Sequence, residues 1–435
     1  MGRKISIGVF LGLLIISFLI GFFINDEVKQ EKLSTVNGEP IQLKETANAA
    51  LVVNFKTGQI VAEQNPKQKL TIASTSKLLT TYLVLKAIRS GKLSWQQRIK
   101  SNNEIYRLSQ NTELMNVTLY PNDSYTVKQL LESTLLISSN ATGVLLGDAI
   151  SGNQTNFAKL MNKTAASFGI PKSEFKFYNA VGISNSYLGS GKIRDISDKA
   201  ENLASVKALS TIAYRLFADY PEVMKIMQEN QLNFQYPNSS QRFQSIGTLS
   251  KFNAEVADTK IKFIAAKSGA SRSAGSVMLG LTDKLANGQQ YLSVVMNGSD
   301  YETPLPTWQL VANMVKEVMN QGTNHVIKKG HAITGSKNLY LQKTQLNQIA
   351  LKTASTFSFW TNGEGPQRIS AQAIPYDRKS AAVKRGQIFT SKINNTKHFD
   401  YLYGLDQFHK IKLQATKSTK ISHNLFIRYW RWLTH

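Results

Sequence analysis

"IKFIAAKSGASRSAGSVMLGLTDKLANGQQYLSVVMNG", residues 261–298, contains three short β-type runs separated by turn residues. That pattern reads as an antiparallel meander. Far upstream, "AALVVNFKTGQIVAEQN" (49–65) gives two more β-rich runs around Lys56-Thr57-Gly58, a hairpin signal. The segments between them follow helical spacing. Strands at both ends with helices between them predict one α/β (α+β) domain, an antiparallel sheet built from early and late strands and flanked by helices.

The helices are read from their apolar period and their stops. "SKLLTTYLVLKAIRSGKL" (76–93) closes at Gly91, and "NQTNFAKLMNKTAASFGI" (153–170) closes at Gly169. "YTVKQLLESTLLISSNATGVLLGDAISG" (125–152) reads as two helical stretches broken near Ser138-Ser139-Asn140, and "VKALSTIAYRLFADYPEVMKIM" (206–227) continues this helical subdomain. "LPTWQLVANMVKEVMNQG" (305–322) is a further helix after the meander. Beyond it, alternating runs such as "TFSFW" and "RISAQAIPY" predict a separate small β-rich domain over 328–420. The tail 421–435 mixes aromatics and arginines as interfacial membrane segments do, and a short piece packed on the β domain fits it equally. The main domain is therefore expected at 45–327, with no internal repeats.

The amino terminus argues for a location. Residues 5–24 form an uncharged apolar run behind Arg3 and Lys4, about 20 residues, enough to cross a bilayer as a helix. A cleavable signal has a shorter apolar region with a small-x-small site just behind it. Here the first match, Ala47-Asn48-Ala49, lies far downstream, so 1–24 is expected to be an uncleaved anchor followed by a polar linker at 25–44. The basic residues stay in the cytoplasm and the rest of the chain faces outward. That placement argues against nucleic acid as a partner. It leaves anionic lipid or an anionic wall polymer to account for the net charge of +24.

Absences narrow the chemistry. There is no cysteine, and all six histidines lie at or beyond His325. Cysteine nucleophiles and thiolate metal sites are excluded, and a Ser-His-Asp arrangement or a zinc site within the α/β domain is disfavoured. A hydrolase here needs a lysine or a carboxylate as its base. Ser74 and Lys77 sit three residues apart at a helix start, on one face. A lysine with a pKa of about 10.4 is a poor base at neutral pH. Burial or a second cation would leave its amine neutral. Taken alone, the same pattern reads as a helix N-cap with a solvated lysine. Ser173 and Lys176 repeat it in a predicted loop beside Pro171. Lys56-Thr57-Gly58 reads as a turn without chemistry. Lys267-Ser268-Gly269 instead ends an apolar β run, where Gly269 lets backbone or substrate come close. The polar break at Ser138-Ser139-Asn140 is either a capped helix junction or a site.

Order and spacing go beyond the single motifs. Ser-x-x-Lys, then Ser-x-Asn about 60 residues on, then Lys-Ser-Gly about 130 further resembles the motif set of penicillin-binding proteins and serine β-lactamases. The context resembles the low-molecular-mass D-alanyl-D-alanine carboxypeptidases over about residues 45–325. The hairpin at 49–65, "IASTSKLLTTYLVL", "FYNAVGI" and "AGSVMLGLT" followed by "YLSVVMNG" carry the likeness.

The resemblance implies a penicillin-sensitive serine D,D-carboxypeptidase acting on peptidoglycan stem peptides, with no cofactor and no metal. Ser74 would be the nucleophile, Lys77 the general base, and Ser138 and Asn140 the proton relay and substrate contact. Lys267 would supply a positive field and, with Ser268, bind the terminal carboxylate. The N–H groups of Ser74 and Ala270, beside Gly269, would form the oxyanion hole. Two departures stand out. Ser268 replaces the usual threonine, and "SDYETPLPTWQ" (299–309) lacks an arginine that many relatives place there, a role for which Arg272 is a substitute. A β-lactamase of the same fold is the alternative enzyme. A non-catalytic wall-binding protein is the alternative outside enzymes.

Overall fold

The computed structural model describes residues 35–237, 239–341, 343–363, 368–374, 382–405 and 410–434. The expected anchor at 1–24 lies outside them, and among the described residues no helix is long and apolar enough to cross a membrane.

Strands β1 (Ile41–Gln42), β2 (Ala49–Asn54) and β3 (Gln59–Gln64) open the fold. Asn54 Oδ1 accepts from the N–H groups of Lys56 and Thr57, and Gly58 takes a φ of +70°, so this Lys-Thr-Gly is a turn. Strand β4 (Lys69–Thr71) leads through one helical turn at Ala73–Ser76 into α1 (Lys77–Arg89). Helix α2 (Val127–Leu136) starts in a capping box of Thr126 and Gln129, and α3 (Asn140–Ser151) resumes beyond the polar break. Helix α4 (Gln154–Ser167), strand β5 (Leu203–Ser205) and helix α5 (Val206–Asp219) complete this helical part. Then come α6 (Thr248–Glu255), the meander β6 (Phe263–Ser271), β7 (Gly275–Thr282) and β8 (Tyr291–Met296), and α7 (Leu305–Gln321).

Six strands join in the order β6-β7-β8-β2-β3-β1, so the late meander and the early hairpin share one sheet. The junction is β8 against β2, antiparallel, with Val294 opposite Leu51 and Met296 opposite Ala49. Strands β2, β7 and β8 are buried along their whole length, because helices cover both faces of the sheet. Leu51, Val53 and Val294 pack toward α1 and α5, while Val52, Val295 and Met278 pack toward Val311 and Val315 of α7. Each fully buried Val or Leu contributes about 1.5–3 kcal/mol, so the sheet is a stiff platform. Strand β6 lies at its edge.

The C-terminal part is β-rich, as expected: β9 (Gly322–Ile327), β10 (Asn338–Tyr340), β11 (Gln348–Thr353), β12 (Phe357–Asn362), β13 (Ile388–Lys392) and β14 (Lys410–Ala415). Strand β9 pairs with β12, so this part begins at 322, ahead of the expected 328. The linker read at 25–44 also needs correcting. Its described end carries two short strands, Val36–Asn37 pairing with Thr396–Lys397, and β1 pairing with β3. Two-residue strands have no period to read. The tail forms helix α8 (Leu425–Thr434), with Leu425 and Phe426 each 74% exposed.

The two parts are clasped together. The Gln59 side-chain amide makes both bonds of a strand partner to Trp360, Nε2 to its carbonyl and Oε1 from its N–H, each at 2.9 Å. Buried Lys207 on α5 donates to both carboxylate oxygens of Asp400 at 2.8 and 2.7 Å. Tyr403 beside it donates to Glu174, which also accepts from Ser205 at 2.6 Å.

Candidate active site

Ser74 sits in the turn between β4 and α1, and its hydroxyl caps neither the turn nor the helix. The N-cap alternative therefore fails. Ala73 holds a φ of +42°, a left-handed conformation that costs an alanine energy, and the turn is pinned by Thr75 and Ser76 hydroxyls donating to the Ile72 and Ala73 carbonyls. The Ser74 oxygen lies 2.7 Å from Lys77 Nζ, across one helical turn.

Lys77 is fully buried. Its other neighbours are acceptors: Asn140 Oδ1 at 2.8 Å and the Val181 carbonyl at 3.5 Å. A neutral amine has two N–H groups and one lone pair, so two carbonyl neighbours leave the lone pair for the Ser74 hydroxyl. Burial holds the Lys77 pKa well below the usual lysine range, and the charge of Lys267 lowers it further.

The polar break near 138–140 is both a helix junction and part of this constellation. Asn140 is the first residue of α3, its N–H bonded to Met115 O and Asn116 Oδ1 at 3.0 and 3.1 Å. Its Nδ2 donates to Met115 O at 3.0 Å, which fixes the amide with Oδ1 toward Lys77. Asn140 is thus committed to orienting the lysine, with only part of its amide left for a substrate. Ser138 takes a φ of +66° at the junction and accepts from Lys267 Nζ at 2.9 Å.

Lys267 comes from β6, is fully buried, and also donates to the Ser268 carbonyl at 2.7 Å. Burial pushes its pKa down to about 7. Gly269 follows where β6 presses on the Ser74 turn. A Cβ there would stand 2.9 Å from the Ile72 oxygen and 3.1 Å from the Ser74 and Thr75 nitrogens, so only glycine allows this approach. Because β6 is an edge strand, the side away from β7 is open to an extended peptide. Ser74, Ser138, Asn140, Ser268, Gly269 and Ala270 all border one cleft of about 780 Å³.

Arg272 also borders the cleft, just past β6, solvent-exposed and hydrogen-bonded to Tyr301. Tyr301 donates in turn to Glu302 at 2.5 Å. Ser173 and Lys176 stand apart, in a short turn and strand.

Sequence reasoning used "FYNAVGI" (177–183) only for the family likeness and gave this loop no part in the site, which it closes from the other side. Asn179 Oδ1 accepts from the N–H groups of Val181 and Gly182, and this turn delivers the Val181 carbonyl to Lys77. Gly182 has a φ of +80°, and a Cβ there would stand 2.1 Å from the Ala73 oxygen. The Asn-x-x-Gly pattern was the available signal. Glu113 and Glu201 on the cleft wall carried none.

The sequence profile of the D-alanyl-D-alanine carboxypeptidase family matches residues 35–300. The chain belongs to that family. Among its relatives is the D-alanyl-D-alanine carboxypeptidase DacF of Bacillus subtilis, 21% identical over 388 residues and 88% of each chain. Another is the D-alanyl-D-alanine carboxypeptidase DacA of Haemophilus influenzae, 24% identical over 268 residues, 59% of this chain and 58% of the relative. The fold is shared with a peptidoglycan synthesis regulatory factor (PBP3) of Streptococcus pneumoniae, at TM-score 0.72 and 22% identity over 87% of this chain and all of that one. It is shared also with penicillin binding protein 5 of Haemophilus influenzae, at TM-score 0.65 and 18% identity over 87% and 98%. The family match includes all three polar motifs.

Proposed function

We propose that this family member removes the terminal D-Ala of peptidoglycan stem pentapeptides through an acyl-enzyme on Ser74. The observation that carries this reading is the 2.7 Å contact between the Ser74 hydroxyl and a buried Lys77 amine whose other neighbours are carbonyl oxygens. Lys77 takes the Ser74 proton as Oγ attacks the penultimate carbonyl. The N–H groups of Ser74 and Ala270 hold the oxyanion. The proton then passes through the Ser138 hydroxyl to the departing D-Ala amine, and the C–N bond breaks. Water, deprotonated by Lys77, attacks the ester and restores Ser74. Lys267 and Ser268 meet the substrate carboxylate, and Arg272 supplies a second cation at the cleft.

A β-lactam ring meets the same nucleophile and forms a lasting acyl-enzyme. The apolar run at 5–24 holds the enzyme in the membrane with the cleft on the extracytoplasmic side, supported by its length and by the basic pair before it. The test is D-Ala release from a defined pentapeptide, with fluorescent penicillin labelling alongside. Wild type releases D-Ala and is labelled stably, and Ser74→Ala does neither. Release by Ser74→Ala, or rapid turnover of the penicillin, overturns the reading.

A further inference from the structure

Half of the chain's charge sits in less than a quarter of its length. Residues 322–424 hold 16 lysines and arginines against 4 aspartates and glutamates, a net +12 of the total +24. Part of this excess lies on one surface, the sheet of strands in the order β10-β11-β14-β13. Its inner face is apolar, with Ile349, Leu351, Ile411 and Leu413 buried. Alternation sends Lys352 of β11, Lys410 and Lys412 of β14, and Lys392 of β13 to the solvent face. No strand of this sheet contains a carboxylate.

The register sharpens the point. Lys392 lies directly opposite Lys410, and Thr390 opposite Lys412. Like charges facing each other across strands destabilise a sheet, and an anion seated between them reverses the sign. A cavity of about 270 Å³ opens at this place, bordered by Lys392, Lys410, Thr390, Ser391 and Gln372. From it the lysines run diagonally through Lys412 to Lys352. Residues two apart on a strand are separated by about 7 Å, so Lys410 and Lys412 present charges at a regular short repeat.

We propose that this sheet face binds a linear phosphodiester polymer of the cell wall, one phosphate in the cavity and its neighbours along the lysine stripe. The Lys392 and Lys410 ammonium groups and the Thr390 hydroxyl, with no carboxylate among the described residues that border the cavity, suit oxygens that only accept hydrogen bonds. A planar lipid surface meets the stripe but does not enter the cavity. The polymer would hold the enzyme within the meshwork where its substrate lies.

The test uses the full chain in detergent micelles, with immobilised linear polyphosphate as the probe and anionic phospholipid vesicles as the second arm. Replacing Lys352, Lys392, Lys410 and Lys412 by Gln weakens polyphosphate binding on the order of tenfold or more. The same change at Lys86, Lys159, Lys225 and Lys284, exposed on the catalytic part, leaves it unchanged. Restoring the four sheet positions as Arg restores binding. Lys410→Glu gives a variant whose fold is not in question, because it faces Lys392 with an opposite charge. It raises the melting temperature while lowering polyphosphate binding. Equal losses in the two quadruple variants, absence of binding by wild type, binding to vesicles alone, or retained binding in Lys410→Glu would each overturn the proposal.

Discussion

Lys77 and Lys267 are both fully buried, and the charge of the second depresses the basicity of the first. In the proposed mechanism the two amines divide the work: one stays neutral and takes a proton, and the other supplies the field that keeps it so.

Lys77→Arg follows first from this. Guanidinium is always protonated, so the variant keeps the charge and loses the base. D-Ala release is expected to fall by about 10³-fold or more, as when a nucleophile's base is lost elsewhere. Single-turnover acylation by penicillin measures it. Retained acylation would remove Lys77 from the base role.

The pH profile of kcat/KM is the second expectation. Its acid limb reports Lys77, whose pKa lies well below the usual range. Its alkaline limb reports loss of the Lys267 charge as pH rises through about 7 in the free enzyme. Lys267→Arg keeps its charge, so that limb should move far to higher pH. A limb unmoved in the variant would assign it to another group.

Stability should move against activity at Lys267. Its pKa is about 7 in the folded protein and about 10.4 unfolded. Between those values the unfolded chain binds more protons, so stability rises with pH across that window, and below it the full cost of burying the lysine is present. Lys267→Met removes that cost and is expected to stabilise the protein at neutral pH by a few kcal/mol, on the order of the pKa difference converted at about 1.4 kcal/mol per unit. Calorimetry at pH 7 should show a higher melting temperature in a protein that no longer acylates.

Gly269→Ala tests the close approach of β6. The added methyl meets backbone atoms on three sides at 2.9 to 3.1 Å, and backbone cannot swing away as a side chain can. Moving the strand by a few tenths of an ångström misplaces the Ala270 N–H, and a loss of about 10²–10³ in kcat is expected. The melting temperature should change little by comparison. A variant that unfolds without prior loss of kcat would make Gly269 a folding residue only.

Arg272→Ala separates binding from chemistry. The side chain is exposed at the cleft wall and bonded to Tyr301, with Ser74 and Lys77 not among the groups acting on it, so KM for the pentapeptide should rise about tenfold while kcat holds. A substrate amidated at its C-terminus should not feel the change. An unaltered KM would leave carboxylate recognition to Lys267 and Ser268.

The sequence disclosed what depends on local pattern. The meander at 261–298, the hairpin at 49–65 and the helix starting at Lys77 declare themselves by period and turn residues, and the three polar motifs fall where those elements end. What stayed hidden depends on contacts distant in sequence. Val181 reaches Lys77 from 104 residues away, through an asparagine turn that looks like any other. Val36–Asn37 becomes a strand only because Thr396–Lys397 lies beside it. Glu113 and Glu201 reach the cleft wall from loops with no periodic signal.

The ion pair of Lys207 with Asp400 sets a limit on dissecting this enzyme. Excising the catalytic part at residue 321 leaves α5 with an ammonium group whose counter-charge has been cut away, next to an apolar surface once covered by Tyr401, Leu402 and Leu405. The shortened fragment would expose sticky surface at the foot of the helix behind the Ser74 sheet. A soluble version for inhibitor screening should therefore be trimmed from the two ends of the chain, never at the seam between its halves.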